Sequence, residues 1–175
     1  VFDLPGHQGP YSPDLEGLEF WLKHVHVLLD RCDQQYNIVQ WFISNLIKHP
    51  EQKSIMIDLV STVKRIGKTT VIWLLRILMG SSKVLEEEDA QHVFGNFNGL
   101  LVGALLVVLS ELDGSGFLNG AKGRLMAMIT DGGEDGKPLT INQKGIKPFQ
   151  VKDYSHWMNV SNNHGANPVE SERVA

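Results

Sequence analysis

The sequence predicts an α/β domain, and three observations carry that prediction. Between Ile55 and Gly80 a short apolar run, a polar loop and an amphipathic helix follow one another, which is the unit from which parallel sheets are built. A second apolar run, Ala104–Ser110, has the length and residue types of a buried strand, and His156–Val160 repeats the form near the end. The length of 175 residues suits one core; a chain of this size buries about 70% of its extended-chain surface without staples.

Taken in order, residues 1–14 are rich in Pro and Gly (Pro5, Gly6, Gly9, Pro10, Pro13) and read as a linker or edge segment. From Asp14, a candidate N-cap, Leu15, Leu18, Trp21, Leu22, Val25, Leu28 and Leu29 fall at helical spacing. A second helix is expected from Gln35 to Lys48, stopping before Pro50. Residues 15–50 thus form a helical lead-in, and 51–175 form the sheet core. Ile55–Val60 is the first strand, residues 61–67 its loop, and Thr69–Met79 a helix closed by Gly80. Glu86–Asp89 reads as a solvated helix start. After the strand Ala104–Ser110, three glycines (Gly114, Gly116, Gly120) lead into a helix near Ala121–Thr130. Asp131–Gly136 is a turn, Lys137–Phe149 a hairpin-like insertion, and the last strand ends in Ser161-Asn162-Asn163.

Composition removes several classes. With 42% hydrophobic and 21% charged residues, the chain is neither a disordered tail nor a fibre. The single cysteine, Cys32, cannot close an internal disulfide, so a reducing, intracellular setting is expected. The first 20 residues carry four acids and no cationic start, against a signal peptide. Leu100–Leu109, broken by Gly103, is half a membrane span, so no membrane partner is expected. A net charge of −4 gives no global field for nucleic acid; DNA binding would need a local basic element. The first residue is Val1, and the chain reads as an excerpt that stops short of a natural C-terminus.

Three constellations could carry chemistry. Ile66-Gly67-Lys68-Thr69-Thr70 stands between the first strand and its helix, where backbone N–H groups, a lysine and a hydroxyl can cradle a phosphate and Mg²⁺. The full pattern wants glycine six positions before Lys68, where Thr62 stands, and a bare Gly-Lys-Thr is often only a helix-start turn. Glu111 follows the strand ending at Ser110, the place where nucleotide-binding sheets put the acid that orders Mg²⁺ and polarises water. Alone it reads equally as a solvated strand end, and the usual pair is Asp-Glu rather than Ser110-Glu111. Asn162 and its rival Asn163 end the last strand, where an amide can orient water or form a common turn. Arg173 could reach a neighbouring phosphate, or be a surface arginine.

The order of these features resembles the helicase domain of superfamily 3 helicases, most closely the phage/plasmid and large-DNA-virus primase–helicase group. The likeness runs through YNIVQWFISNLIKHP, IGKTTVIWLLRILMG, LLVVLSEL, KGRLMAMITD and WMNVSNNHGANPVESER, about residues 18–173. It implies an AAA-like P-loop ATPase with a three-layer sheet core, assembled as a homo-hexamer that draws one DNA strand through its channel. It also implies a possible primase domain in the same chain, and a virus-infected cell, bacterial cytoplasm or nucleus as its setting. Carried over by position, Ile66, Gly67, Lys68, Thr69 and Thr70 would bind ATP, and Thr69 with Glu111 would hold Mg²⁺. Glu111, Asn162 and Arg173 would be the catalytic base, sensor and finger. Lys137, Lys144 and Lys147 would face DNA, with Lys122 on the preceding helix. Three departures stand out: Thr62 and Arg65 occupy usual glycine places, Ser110 replaces Asp, and one Arg stands where a pair is common. They keep a second reading open, a weakened or inactive ring or scaffold domain that binds nucleotide or DNA without turnover. A small-molecule P-loop kinase ranks last, because few arginines follow Arg124 to build a lid.

The remaining residues read structurally. His24 and His26, two apart on a helix, do not form a zinc pair. Cys32 has no CxxC partner, Trp21, Trp41 and Trp73 are expected in the core, and Ser61, Ser110 and Ser161 lack a triad.

Overall fold

The computed structural model describes residues 15–110, 116–130 and 138–162. Helices α1 (Leu15–Leu28) and α2 (Asp33–Lys48) lead in, joined by a turn in which Asp30 and Arg31 take left-handed φ of 54° and 55°. Strand β1 (Met56–Val60) and helix α3 (Lys68–Met79) form the expected strand–loop–helix unit. Then come β2 (Val84–Glu87), α4 (Ala90–Phe94), β3 (Leu106–Ser110), α5 (Gly116–Thr130), β4 (Leu139–Ile141), β5 (Phe149–Val151) and β6 (His156–Ser161).

Four strands form one parallel sheet in the order β1-β6-β3-β2. The chain crosses from β1 to the far edge at β2, then works back, and β6 is threaded last between β1 and β3. The carboxyl ends of β1, β6 and β3 therefore lie side by side, where open α/β sheets bind ligands. Both central strands are buried along their whole length, as two covered faces require. On one face Ile57, Leu59, Leu106, Val108, Met158 and Val160 meet α1, α2 and α3. On the other, Val107, Leu109 and Trp157 meet α4, α5 and Ile141, and Phe94 stacks on Trp157 at 5.6 Å. This is a three-layer α/β core with N-terminal helices, as the sequence predicts, and α1 and α2 share its larger core cluster.

The hairpin β4–β5 is antiparallel; it begins inside the expected insertion and ends two residues beyond it. Asn98, 1% exposed, ties it down: its Nδ2 donates to the Thr140 carbonyl at 3.0 Å and its Oδ1 accepts from Asn142 N at 2.8 Å. The amino edge of the sheet is fastened by a buried pair, Lys53 and Asp153, with Lys53 Nζ also donating to the Met128 carbonyl at 2.7 Å.

Three expectations are corrected. Glu86 and Glu87 are not a helix start but end the edge strand β2; only Asp89 caps a helix, its carboxylate accepting from Gln91 N at 2.8 Å. Trp21 is buried, but Trp41 and Trp73 are 52% and 61% exposed. The inward stripes of α2 and α3 run through Val39, Phe42, Ile43 and Leu46, and through Val71, Ile72 and Leu75. Both tryptophans fall beside those stripes, not on them. The helix expected from Ala121 starts earlier, at Gly116.

Candidate functional site

Lys68 is the first residue of α3 and is only 8% exposed. Its Nζ donates to three oxygens at the carboxyl ends of β1 and β6: Ser61 O at 3.3 Å, Ser161 O at 3.0 Å and Asn162 Oδ1 at 2.7 Å. The two strand ends are themselves joined, Ser61 N donating to Ser161 O at 3.1 Å. A buried cation needs such acceptors, because an ammonium taken from water without partners costs several kcal/mol on the order of magnitude known for ions. The structure thus brings together Lys68 and Asn162, which the sequence places 94 residues apart.

The loop from Ser61 to Gly67 arches over this point. Gly67 takes φ +97° and caps α3, whose first turn is closed by Thr70 N donating to Gly67 O at 3.0 Å. The helix start directs its remaining N–H groups and positive dipole end at the loop. Thr69 and Thr70 are exposed there and Ile66 is half-buried. Of the two residues standing at usual glycine places, Arg65 takes a left-handed φ of 61° and Thr62 does not. The loop therefore needs one strained residue, not two. A cleft of about 340 Å³ opens beside it, bordered by Leu28, Leu29, Asp58, Ser61, Ile66 and Lys68. Its volume is at the lower end for small-molecule sites.

Two residues that the sequence reading gave only structural roles belong to this region. His24 of α1 reaches the loop, its Nε2 donating to the Gly67 carbonyl at 3.1 Å. The neighbouring His26 turns away to Asp33 at 2.9 Å. Glu86 is the second: Ser110 Oγ donates to its Oε1 at 2.9 Å, and Arg76 of α3 donates to its Oε2 at 2.7 Å. No local signal marks His24, which lies 43 residues from its partner. For Glu86, the apolar pair Val84-Leu85 before a run of four acids was the available hint of an edge strand.

Among the described residues no group of three or more His, Cys, Asp or Glu is placed to hold a metal ion by itself. Mg²⁺ shared with a phosphate takes only one or two protein oxygens, which are hard donors, and keeps several waters. The hydroxyls of Thr69 and Ser110 are donors of that kind, hard oxygens on the α3 side of the sheet. Glu111, Lys137, Asn163 and Arg173 lie outside the described residues, as does the side chain of Lys122. Lys144 and Lys147 are exposed in the connection between β4 and β5, on the smaller sheet. No helix among the described residues is long and apolar enough to cross a membrane.

Residues 59–173 match a family profile described as a family of unknown function, DUF5906. No curated protein matches the chain. Among solved structures, an apo structure of the NrS-1 C-terminal region superposes with a TM-score of 0.69 at 20% identity, covering 88% of this chain and 35% of that one. A second apo form of that region gives 0.65 at 21% identity, over 88% and 34%. A JCV helicase with a bound small molecule gives 0.45 at 19% identity, over 88% and 42%, too distant to carry an argument. The chain spans about a third of the NrS-1 chains it matches, and the likeness is one of fold.

Proposed function

The chain belongs to the DUF5906 family, whose function is not known, and we propose that it is an ATP-dependent DNA helicase domain, a nucleoside triphosphatase of a viral or plasmid replication protein. The observation that carries this reading is Lys68, held at a helix start by the carboxyl ends of two adjacent strands, with Asn162 as one acceptor. A lysine so placed can exchange those oxygens for the β- and γ-phosphate oxygens of ATP, which also meet the N–H groups of the first turn. Ile66, Gly67, Thr69 and Thr70 complete the loop. Thr69 and Glu111 are the proposed Mg²⁺ residues, and the ion they would hold would supply positive charge to offset that of the phosphates. Glu111 is the proposed base for the attacking water, Asn162 the sensor and Arg173 a finger reaching the next subunit. Lys144 and Lys147, with Lys137, are the proposed DNA contacts of a hexameric ring around one strand, and a primase domain in the same protein would fit that role.

A second reading, a ring or scaffold domain that binds without turnover, is favoured by the strained Arg65 and by a serine at the strand end where a carboxylate is usual. One experiment separates the two. Titration with an ATP analogue and assays of ATP turnover are run on the protein and on Lys68→Ala. The helicase reading expects turnover that falls by about 10²–10³ in the variant, the range for losing one preorganised donor. Binding without turnover in the unaltered protein supports the second reading, and absence of nucleotide binding sinks both as stated for ATP.

A further inference from the structure

We propose that Glu86 is a positioning residue for the Mg²⁺–nucleotide site, acting through Ser110 in place of the carboxylate that the end of β3 lacks. This rests on the nucleotide-site reading above.

The geometry begins with register. Glu86 stands opposite Val108 on the neighbouring strand, and alternation puts Val84, Glu86, Leu106, Val108 and Ser110 on the face covered by α3. Ser110 is the last residue of β3 and 7% exposed. A serine hydroxyl has one proton and two lone pairs. Here the proton goes to Glu86 Oε1 at 2.9 Å, so toward everything else Ser110 Oγ is an acceptor only. A hydrogen bond to a carboxylate is about twice as strong as a neutral one, which holds the hydroxyl in that sense. The strand end then presents what an aspartate would present: an electron-rich oxygen backed by a negative charge, one side chain further away.

Arg76 makes the arrangement rigid. It occupies the other carboxylate oxygen at 2.7 Å, so Glu86 cannot turn from Ser110 without breaking two contacts. Arg76 also lies on α3, the helix that begins with Lys68 and Thr69. The carboxylate, the strand-end hydroxyl and the phosphate loop are thereby linked through one helix. The ion pair is partly exposed, with side chains 36% and 25% accessible, so its own contribution to stability is small, about 0–1 kcal/mol. An acceptor-only hydroxyl on this face is suited to a water of a bound Mg²⁺ ion, which keeps several waters when it bridges a protein and a phosphate.

The test titrates Mg²⁺ against binding of a fluorescent ATP analogue, alongside binding of the same analogue in EDTA and thermal melting without nucleotide. Glu86→Gln is expected to raise the Mg²⁺ midpoint by about 10–100-fold, the usual effect of losing an outer-shell partner, and to leave Mg²⁺-free binding unchanged. Ser110→Ala keeps the Arg76–Glu86 pair and should shift the midpoint in the same direction, so the proposal stays testable if Glu86→Gln fails to fold. Ser110→Asp alone sets two carboxylates against each other and should melt at lower temperature. Combined with Glu86→Gln, the new aspartate accepts from the Gln amide, and the midpoint returns toward that of the unaltered protein. A midpoint unmoved in Ser110→Ala or Glu86→Gln overturns the proposal, as does a double variant no better than Glu86→Gln. If the unaltered protein binds no analogue even in EDTA, the nucleotide-site reading falls first and is recognised separately.

Discussion

Gly67→Ala is the perturbation whose effect the structure specifies most fully. Gly67 takes φ +97°, and an alanine there enters the left-handed region at a cost of about 1–2 kcal/mol. The new Cβ would also lie 2.3 Å from His24 Cε1 and 2.6 Å from its Nε2. The ring can move aside only by releasing its hydrogen bond to the Gly67 carbonyl, a loss of about 0.5–1.5 kcal/mol. Forced overpacking instead costs about 1–3 kcal/mol. Strain plus the cheaper of these two responses is a destabilisation of about 1.5–3.5 kcal/mol, or about 0.8–1.8 M in urea midpoint at an m-value of about 2 kcal/mol/M. His24→Ala separates the parts, because it removes the clash and leaves the backbone strain. In the double variant the Gly67→Ala penalty should shrink to the strain alone, a coupling of about 0.5–1.5 kcal/mol. Urea unfolding of the four proteins measures this cycle. Additive penalties would refute the idea that α1 presses on the loop through His24, and a Gly67→Ala cost below about 0.5 kcal/mol would refute the strain as well.

Two further outcomes follow from the same geometry. Arg65→Gly should relieve the left-handed φ of 61°; set against the greater unfolded-state entropy of glycine, the net is a gain of up to about 1 kcal/mol, read as a higher melting temperature. Arg65→Val should lower it, and equal melting of the two variants would contradict the strain. His156 is 2% exposed and donates to the Pro50 carbonyl at 3.1 Å. Burial, the largest cause, pushes its pKa below the usual imidazole value, only partly opposed by that hydrogen bond. The unfolded chain therefore binds the proton more readily. Stability is full above the ordinary value of about 6.5 and declines as pH falls below it, toward the lower folded value. Urea midpoints at about pH 8 and pH 5.5 should show this decline in the protein and a flatter response in His156→Gln. His92, raised chiefly by its hydrogen bond to Glu87, acts in the opposite sense, so the variant and not the bare curve decides the matter.

What the sequence made legible is what lies within one unit of local pattern. Ile55–Gly80 contains strand, loop and helix in succession, so the place of Lys68 at a helix start followed from spacing alone. The apolar runs at Ala104–Ser110 and His156–Val160 gave both central strands because strands buried on two faces need no alternation. Strand β2 escaped, since four residues ending in two glutamates lack the length and the apolar content that mark a strand, and edge strands tolerate charge. Trp41 and Trp73 misled because large apolar residues need not be inside. The contacts that shape the candidate site span 24 residues for Ser110–Glu86, 43 for His24–Gly67 and 94 for Lys68–Asn162. Only the order of strands in the sheet brings such residues together, and no periodicity encodes that order.

The strand order also has a consequence for how the proposed site would work. Because β6 is inserted between β1 and β3, its end touches both the loop before α3, through Lys68 and Ser61, and the strand that leads to Glu111. Lys68 cannot accept a phosphate in addition to three oxygens, since an ammonium has three donors. Phosphate binding must therefore release at least one of Ser61 O, Ser161 O and Asn162 Oδ1. Of the three, Asn162 Oδ1 belongs to a half-buried side chain just past the strand, whereas the other two are backbone carbonyls at the joined strand ends. An amide displaced by a nucleotide from Lys68 would change its contact at the end of β6 with occupancy of the proposed site. In the nucleotide-site reading proposed above, that would be the work of a sensor, and it would rest on a competition for one ammonium.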